Sequence, residues 1–129
     1  MLRPWVDVGS VGTLTLAWLE RHFQAKDLGR LSRPGDFFDF TRYRPTIYTE
    51  DGERRLAIPN AYITYARQET GNDFLFVHLL EPHNHGEVYV DSLVRILTKF
   101  GAKRYCLIGE HVRLYAPYPA VTGDRVGSR

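Results

Sequence analysis

Cysteine and long apolar runs are the features that this sequence most clearly lacks. Cys106 is the single cysteine among 129 residues, so no disulfide can form within the chain, and its position in a predicted buried strand argues against a nucleophile. No apolar run approaches the roughly 20 residues that span a bilayer, and the first residues do not follow the pattern of a signal peptide. We therefore predict a reducing, cytoplasmic setting and no membrane partner.

An excess of one charge is also missing. Seventeen basic and fifteen acidic residues give a net charge of +2, and the two signs are interspersed along the chain. Proteins that bind nucleic acid concentrate basic residues on one face, so this pattern argues against a nucleic-acid partner. The length and the 43% of hydrophobic residues predict one globular domain over residues 1–129, in which residues 110–129 are rich in loop.

Sequence motifs of common active sites are absent as well. The chain contains neither phosphate-binding pattern, G-x-G-x-x-G or G-x-x-x-x-G-K-[ST], and it has no G-x-S-x-G nucleophile elbow. We therefore predict no cofactor. Whether the chain is an enzyme is left uncertain, and a non-catalytic role is the preferred interpretation.

The stretch from Asn72 to Gly109 contains the strongest structural pattern. Residues 74–80 form an apolar run typical of a buried strand, and residues 86–100 place apolar side chains on one side of a helix that Gly101 can end. Residues 104–109 form a second apolar run. This order predicts a βαβ crossover with two parallel strands, and hence an α/β fold with an open, mostly parallel sheet.

A second helix is predicted near the start of the chain, over residues 11–24. Its apolar spacing directs Val11, Leu14 and Trp18 toward the core and leaves Glu20 in solvent. If this helix and the crossover share a sheet that is incomplete in this chain, either an oligomer completes the missing layer or the chain is a fragment.

The remaining strands are predicted from turn signals and alternation. The Asp51-Gly52 turn between residues 45–49 and 54–58 indicates a β-hairpin that extends the sheet. Further strands are predicted near Val6 and over residues 61–67. Residues 25–35 have a weak pattern and are left unassigned.

Polar residues in the loops that follow the predicted parallel strands suggest a site at one edge of the sheet. The alternative function is the binding, and in one version the hydrolysis, of a small molecule or anion at this edge. The residues of that site would be Asp7, Gly9, Ser10, Gly12, Glu81 and Glu110. A metal site would use His83, His85 and His111. The alternatives are a tight glycine turn and a solvated polar loop, and His78 is interpreted as a hydrogen-bonded core residue.

Aromatic residues are concentrated just before and inside the predicted hairpin. Such a group forms either a core plug under a loop or a surface for protein contact. The candidate contact residues are Phe37, Phe38, Phe40, Tyr43 and Tyr48. We predict a protein-interaction domain that forms a homo-oligomer and can also bind another protein subunit.

Several short motifs, taken in order, resemble the proteasome assembly chaperone 2 family. They are Trp5-Val6-Asp7-Val8-Gly9 before a helix, Asp36-Phe37-Phe38-Asp39-Phe40 followed by Arg44-Pro45, Asp51-Gly52 with Arg54-Arg55, Ile58-Pro59, Glu81-Pro82 and the segment Ala116-Pro117-Tyr118-Pro119-Ala120-Val121-Thr122-Gly123. The order of these motifs, rather than any one of them, carries the resemblance.

The resemblance implies a particular fold and role. It implies the three-layer α/β architecture of purine nucleoside phosphorylases, self-association, and a chaperone-like role in assembly in place of catalysis. The chain is similar to about the N-terminal half of a typical member, so we expect residues 1–129 to be the N-terminal part of such a domain.

Overall fold

The computed structural model of the protein describes residues 8–109, which form two α-helices and five strands. In chain order these are α1 (Val11–His22), β1 (Lys26–Arg30), β2 (Thr46–Glu50), β3 (Glu53–Ala57), β4 (Tyr62–Ala66), β5 (Phe74–His78) and α2 (Gly86–Lys99). Short 3-10 helices cover Val8–Ser10 and Pro34–Asp36. Neither α-helix of this described part is long and apolar enough to cross a membrane.

The strands form two small antiparallel sheets. One has the order β1-β4-β5, and the other is the hairpin of β2 and β3. The predicted open, mostly parallel sheet of a phosphorylase-like three-layer architecture is therefore wrong. A short turn through Gly71, whose φ is 96°, joins β4 to β5, and neighbouring strands joined by so short a turn run antiparallel.

The prediction of a second parallel strand after α2, which would complete the βαβ crossover, is also wrong. Residues 104–109 contain an isolated bridge at Leu107 in place of a strand. Tyr105, Cys106 and Leu107 are exposed, so the prediction that Cys106 lies in a buried strand fails too. An apolar run becomes a buried strand only where other protein layers cover it, and residues 8–109 supply no such cover here. The strand predicted near Val6 lies outside the described residues.

Helices pack on both faces of the three-stranded sheet. On one face, Leu16 of α1 packs with Ala66 and Phe76. On the other face, Val77 of β5 packs with Tyr89 of α2, and the remaining buried members of that cluster are Phe38, Ala61 and Leu79. Phe76 and Val77 of β5 thus point to opposite clusters, which explains why residues 74–77 form a continuous apolar run.

The predicted helix near the start of the chain is present, but its orientation differs from the prediction. Leu16 is the buried residue of its inner face, whereas Leu14 and Trp18 are 66% and 60% exposed. Glu20, predicted in solvent, points inward and accepts a hydrogen bond from the Thr64 hydroxyl. The side of α1 that carries Glu20 faces the sheet because the carboxylate finds a hydrogen-bond donor there, Thr64 of β4. Leu14 and Trp18 consequently face away from the sheet.

The predicted hairpin is confirmed, with Asp51 and Gly52 between its strands. Both turn residues have positive φ, 52° and 81°, which is the backbone of a type I′ turn and explains the Asp-Gly sequence. The unassigned region contains β1, which has a bulge between Asp27 and Gly29.

Gly101 ends α2 in a left-handed conformation, and replacing it should destabilise the fold. Its N–H donates to the carbonyl of Thr98, and the N–H of Ala102 donates to that of Leu97, the pattern of a Schellman cap. A Cβ at Gly101 would meet nothing within 4 Å, but its φ is 67°. We expect Gly101→Ala to cost about 1 kcal/mol of unfolding free energy through backbone strain alone.

Gly86 provides the matched control because it belongs to the same helix. A Cβ there would make only an ordinary contact with Pro82, and its φ is not in the left-handed region. Gly86→Ala should therefore leave stability unchanged or raise it by a few tenths of a kcal/mol. Urea unfolding measures both variants, and equal effects would contradict the cap assignment.

Candidate functional site

Two loops at one end of the sheet are bonded into a single unit, which we call the loop pair: residues 37–43 and residues 81–85. The backbone N–H groups of His83 and Asn84 both donate to the carbonyl of Phe37, at 2.8 and 3.1 Å. In return, the backbone N–H of Asp39 donates to Nδ1 of His83 at 3.1 Å. These long-range bonds hold the aromatic segment against the loop that follows β5.

Tyr43 adds a second connection within the loop pair. Its hydroxyl oxygen accepts a hydrogen bond from the N–H of Glu81 at 3.2 Å, and its ring lies 5.0 Å from that of His83. A polar depression of about 650 Å³ opens beside these residues, with Asp39, Arg42 and Glu81 in its lining. The depression is open to solvent, and polar side chains dominate its lining.

The described residues include two of the three predicted metal ligands, His83 and His85. Nδ1 of His83 is occupied by the N–H of Asp39, and His85 is exposed at the start of α2. His111 lies outside the described residues. Within residues 8–109, no group of three His, Cys, Asp or Glu side chains could hold a metal ion.

The described residues of the predicted anion site fall in two places. Gly9 and Ser10 lie before α1 with φ of 65° and 59°, and Gly12 is buried in its first turn. Glu81 belongs to the loop pair. Asp7 and Glu110 lie outside the described residues, so this site stays a prediction.

The predicted aromatic contact residues differ in their exposure. Phe38 is buried in the core cluster on the α2 side, and Phe37, Phe40 and Tyr43 pack against that cluster while remaining half-buried. Tyr48 is exposed on β2. The first four therefore anchor the loop pair to the core, and Tyr48 alone among the five stands well clear of it.

Sequence reasoning missed a buried polar network between α1 and the sheet. Oε1 of Glu20 accepts a hydrogen bond from the Thr64 hydroxyl at 2.5 Å and lies 2.8 Å from Nε2 of His78. His78 is 3% exposed, and its ring stacks on that of Tyr62 at 4.1 Å. The interpretation of His78 as a hydrogen-bonded core residue is confirmed. Glu20 follows the buried Leu16 by one helical turn, but the sequence alone did not show which side of α1 is buried, so it carried no signal for this partner.

Large apolar side chains are also exposed in organised groups. The β2–β3 hairpin, residues 46–57, is here called the arm; Ile47 and Leu56 lie directly opposite each other on it and are 69% and 59% exposed. On α1, the residues opposite Leu16 form a second group, here called the outer row. Its members are Val11, Leu14 and Trp18.

The pKa of the Asp39 carboxyl depends on the hydrogen bonds that it accepts within the loop pair. The hydroxyl of Thr41 and then its backbone N–H donate to Oδ1, at 2.7 and 2.8 Å, and they hold the pKa of Asp39 below its ordinary value. A carboxyl with a lowered pKa contributes stability above its ordinary pKa and loses that contribution as the pH falls through the lowered one.

Thr41→Val removes the hydroxyl donor and keeps the backbone donor. We expect the pKa of Asp39 to rise part of the way to its ordinary value, which an NMR titration of the carboxyl carbon measures. Thr46→Val, on the arm, is the matched control and should leave that titration unchanged. An unchanged pKa of Asp39 in Thr41→Val would contradict the assigned cause.

Comparison with protein-family sequence models matches residues 1–109 to the PAC2 family. Comparison with curated proteins gives no match. Among solved structures, the chain is similar to a PAC2 family protein from Streptomyces avermitilis, with a TM-score of 0.68 and 24% identity over 78% of this chain and 45% of that one. Such identities show a shared fold.

Two further solved structures are similar in fold to this chain at low sequence identity. One is a Mycobacterium tuberculosis proteasome-assembly chaperone homologue, with a TM-score of 0.66 and 23% identity over 78% of this chain and 45% of that one. The other is a Corynebacterium glutamicum protein of unknown function, with a TM-score of 0.63 and 18% identity over 78% and 39%. The chain therefore spans less than half the length of each of these three structures.

Proposed function

We propose, because the chain belongs to the PAC2 family, that it is a non-catalytic protein-interaction domain with a chaperone-like role in the assembly of protein complexes. The similarity in fold to a proteasome-assembly chaperone homologue supports an assembly role. The chain spans only 45% of that structure, so the partners of a complete protein form part of the proposal. Self-association and the binding of another protein subunit are its two components.

The observation that carries this proposal is the grouping of exposed apolar side chains. A helix that packs on one side of a sheet normally exposes a polar face, but α1 is apolar both at Leu16 and at the outer row on the opposite side. Ile47 and Leu56 form a second exposed group on the arm. Contiguous apolar surface of this kind marks sites of protein contact, because leaving it in water is unfavourable.

The arm supports self-association for a further reason. Across the described residues, β2 and β3 make their extensive contacts with each other and not with the three-stranded sheet or the helices. An isolated two-stranded hairpin is marginally stable in water. Contact with another protein would bury its apolar pair and stabilise it, and Tyr48 on its other face offers an aromatic contact to a second partner.

Concentration-dependent unfolding tests the proposal. If folding is coupled to self-association, raising the protein concentration about a hundredfold should raise the midpoint of thermal unfolding by several degrees. A variant with Ile47→Ser and Leu56→Ser should show a smaller dependence. A midpoint that is independent of concentration in the wild-type chain would contradict the self-association component.

A further inference from the structure

One face of the arm combines apolar side chains with a single positive charge. Alternation along the strands places Ile47 and Leu56 on this face, and Thr49 and Arg54 follow on the same face nearer the turn. Arg54 is exposed and forms no ion pair with another residue of the described chain. This face, here called the Arg54 face, therefore presents an apolar pair and an uncompensated cation.

The acidic residues at the ends of β2 and β3 belong to the other face of the arm. Glu50 and Glu53 lie opposite each other there, and side-chain nitrogens of Arg55 lie 3.7 Å from both carboxylates. The charges of that face are thus paired within the arm, whereas the charge of Arg54 is not.

The exposed side of α2 has the complementary pattern. Val90 and Val94 are 41% and 53% exposed and lie one helical turn apart, and Glu87 and Asp91 lie one turn apart beside them. Within residues 8–109, neither carboxylate forms an ion pair, and this includes Arg95, which lies on the side of Asp91 away from the valines. Like charges one turn apart destabilise a helix, so this surface favours a cationic partner.

We propose that the Arg54 face of the arm docks on the exposed side of α2 in a second copy of this chain. This inference rests on the proposed function and names the contact through which self-association occurs. The apolar pair of the arm covers the two valines, and Arg54 lies between the carboxylates of Glu87 and Asp91. The arm and the α2 helix of one chain make no extensive contact, so a second copy provides the partner surface. Each copy gives one arm and receives one, which doubles the apolar area that the dimer buries.

The spacing of the two patterns agrees with this contact. Along the arm, Arg54 lies about 7 Å from the apolar pair, the rise of two residues in a strand. Along α2, Asp91 and Glu87 lie about 4.5 and 10.5 Å from the level of Val94. When the apolar pair covers Val94, the guanidinium group therefore reaches the space between the two carboxylates. Burial of the apolar pairs provides the affinity, and the charges select the partner and its orientation.

Reversal of charge across the contact tests the proposal. Arg54→Glu places a third carboxylate beside Glu87 and Asp91 and should weaken self-association at least about tenfold. Glu87→Lys together with Asp91→Lys should weaken it to a similar extent. All three substitutions in one chain restore opposite charges, so the dissociation constant should return to within about threefold of the wild-type value. The matched control is Arg67→Glu, the same charge change at an exposed position outside both surfaces, which should leave association unchanged.

Sedimentation equilibrium over a range of concentrations measures each dissociation constant, and circular dichroism shows that each variant is folded. A triple variant that associates no better than Arg54→Glu would overturn the docking of the arm on α2 and leave self-association standing. The same conclusion follows if Arg54→Glu has no larger effect than Arg67→Glu. A wild-type chain that stays monomeric at every concentration would overturn both the docking and the self-association.

Disulfide trapping gives a second measurement that leaves all of these charges in place. In a Cys106→Ser background, which removes the single cysteine, a chain with Ile47→Cys is mixed with a tagged chain that carries Val94→Cys, and the mixture is oxidised gently. The control chain carries Tyr48→Cys in place of Ile47→Cys, because residue 48 lies on the other face of the arm. The mixed disulfide from position 47 should form at least about tenfold faster than that from position 48, whereas equal rates would contradict the docked orientation.

Discussion

Phe76→Ala is expected to leave a small folded population or none, with a loss of about 3–5 kcal/mol of unfolding free energy. The Phe76 side chain is 0% exposed and lies where α1 packs on the sheet, with the ring of Phe23 6.5 Å away. Truncation to Ala removes buried apolar area and leaves a cavity that its rigid neighbours cannot fill. Domains of this size have total stabilities of about 5–15 kcal/mol, so the loss is a large fraction.

Phe100→Ala is the matched control because it deletes the same side chain from an exposed position. Phe100 is 52% exposed, so its truncation should cost about 1 kcal/mol or less in the monomer. Urea unfolding followed by circular dichroism, at a protein concentration too low for association, measures both variants. Similar losses in the two would mean that the α1 side of the sheet is not a close-packed core.

Glu20→Ala is expected to have the second-largest effect, on the order of 2 kcal/mol or more. The side chains of Glu20 and His78 are 18% and 4% exposed, and the carboxylate is an acceptor for Thr64 as well. Its removal leaves the buried ring of His78 and the half-buried hydroxyl of Thr64 without this partner. A buried donor that loses its acceptor keeps the full cost of having left water.

The matched controls separate this effect from a general loss of helix. Arg21→Ala changes the next residue of α1, which is exposed, and should change stability by less than about 0.5 kcal/mol. Glu20→Gln keeps an acceptor oxygen and should recover part of the loss. A double-mutant cycle with Thr64→Val should give a coupling energy of about 0.5–3 kcal/mol, whereas strict additivity would show that the network contributes nothing.

Local elements of the fold could be predicted from the sequence because local chemistry determines them. Gly101 predicted the end of α2, and Asp51-Gly52 predicted the hairpin turn, because each of these positions has a positive φ. The order of short motifs indicated the family, and the match over residues 1–109 confirms it. None of these inferences required knowledge of which element lies beside which.

Sheet topology could not be predicted in the same way. The apolar run at residues 104–109 has the composition of a buried strand, but burial depends on what covers it, and Leu107 is exposed in the described chain. For α1, periodicity alone could not tell whether Leu14 or Leu16 faces the sheet, because apolar residues occupy both sides of the helix. The ambiguity has a physical cause, because both sides of this helix carry large apolar side chains.

Candidate sites at the sheet edge were predicted on the assumption of parallel strands, which place their following loops at one edge. The antiparallel order β1-β4-β5 removes that reason for bringing them together. The loop pair of residues 37–43 and 81–85 arises instead from long-range backbone bonds to Phe37. Such bonds leave no spacing pattern in the sequence, so they could not be predicted from it.

The mass of the chain in solution tests most directly whether its exposed apolar surfaces are protein interfaces. Size-exclusion chromatography with light scattering at tens of micromolar should give a species of at least twice the chain mass of 14.9 kDa. Dilution should return the peak toward the monomer mass. A clean, concentration-independent species of 14.9 kDa would contradict the claim.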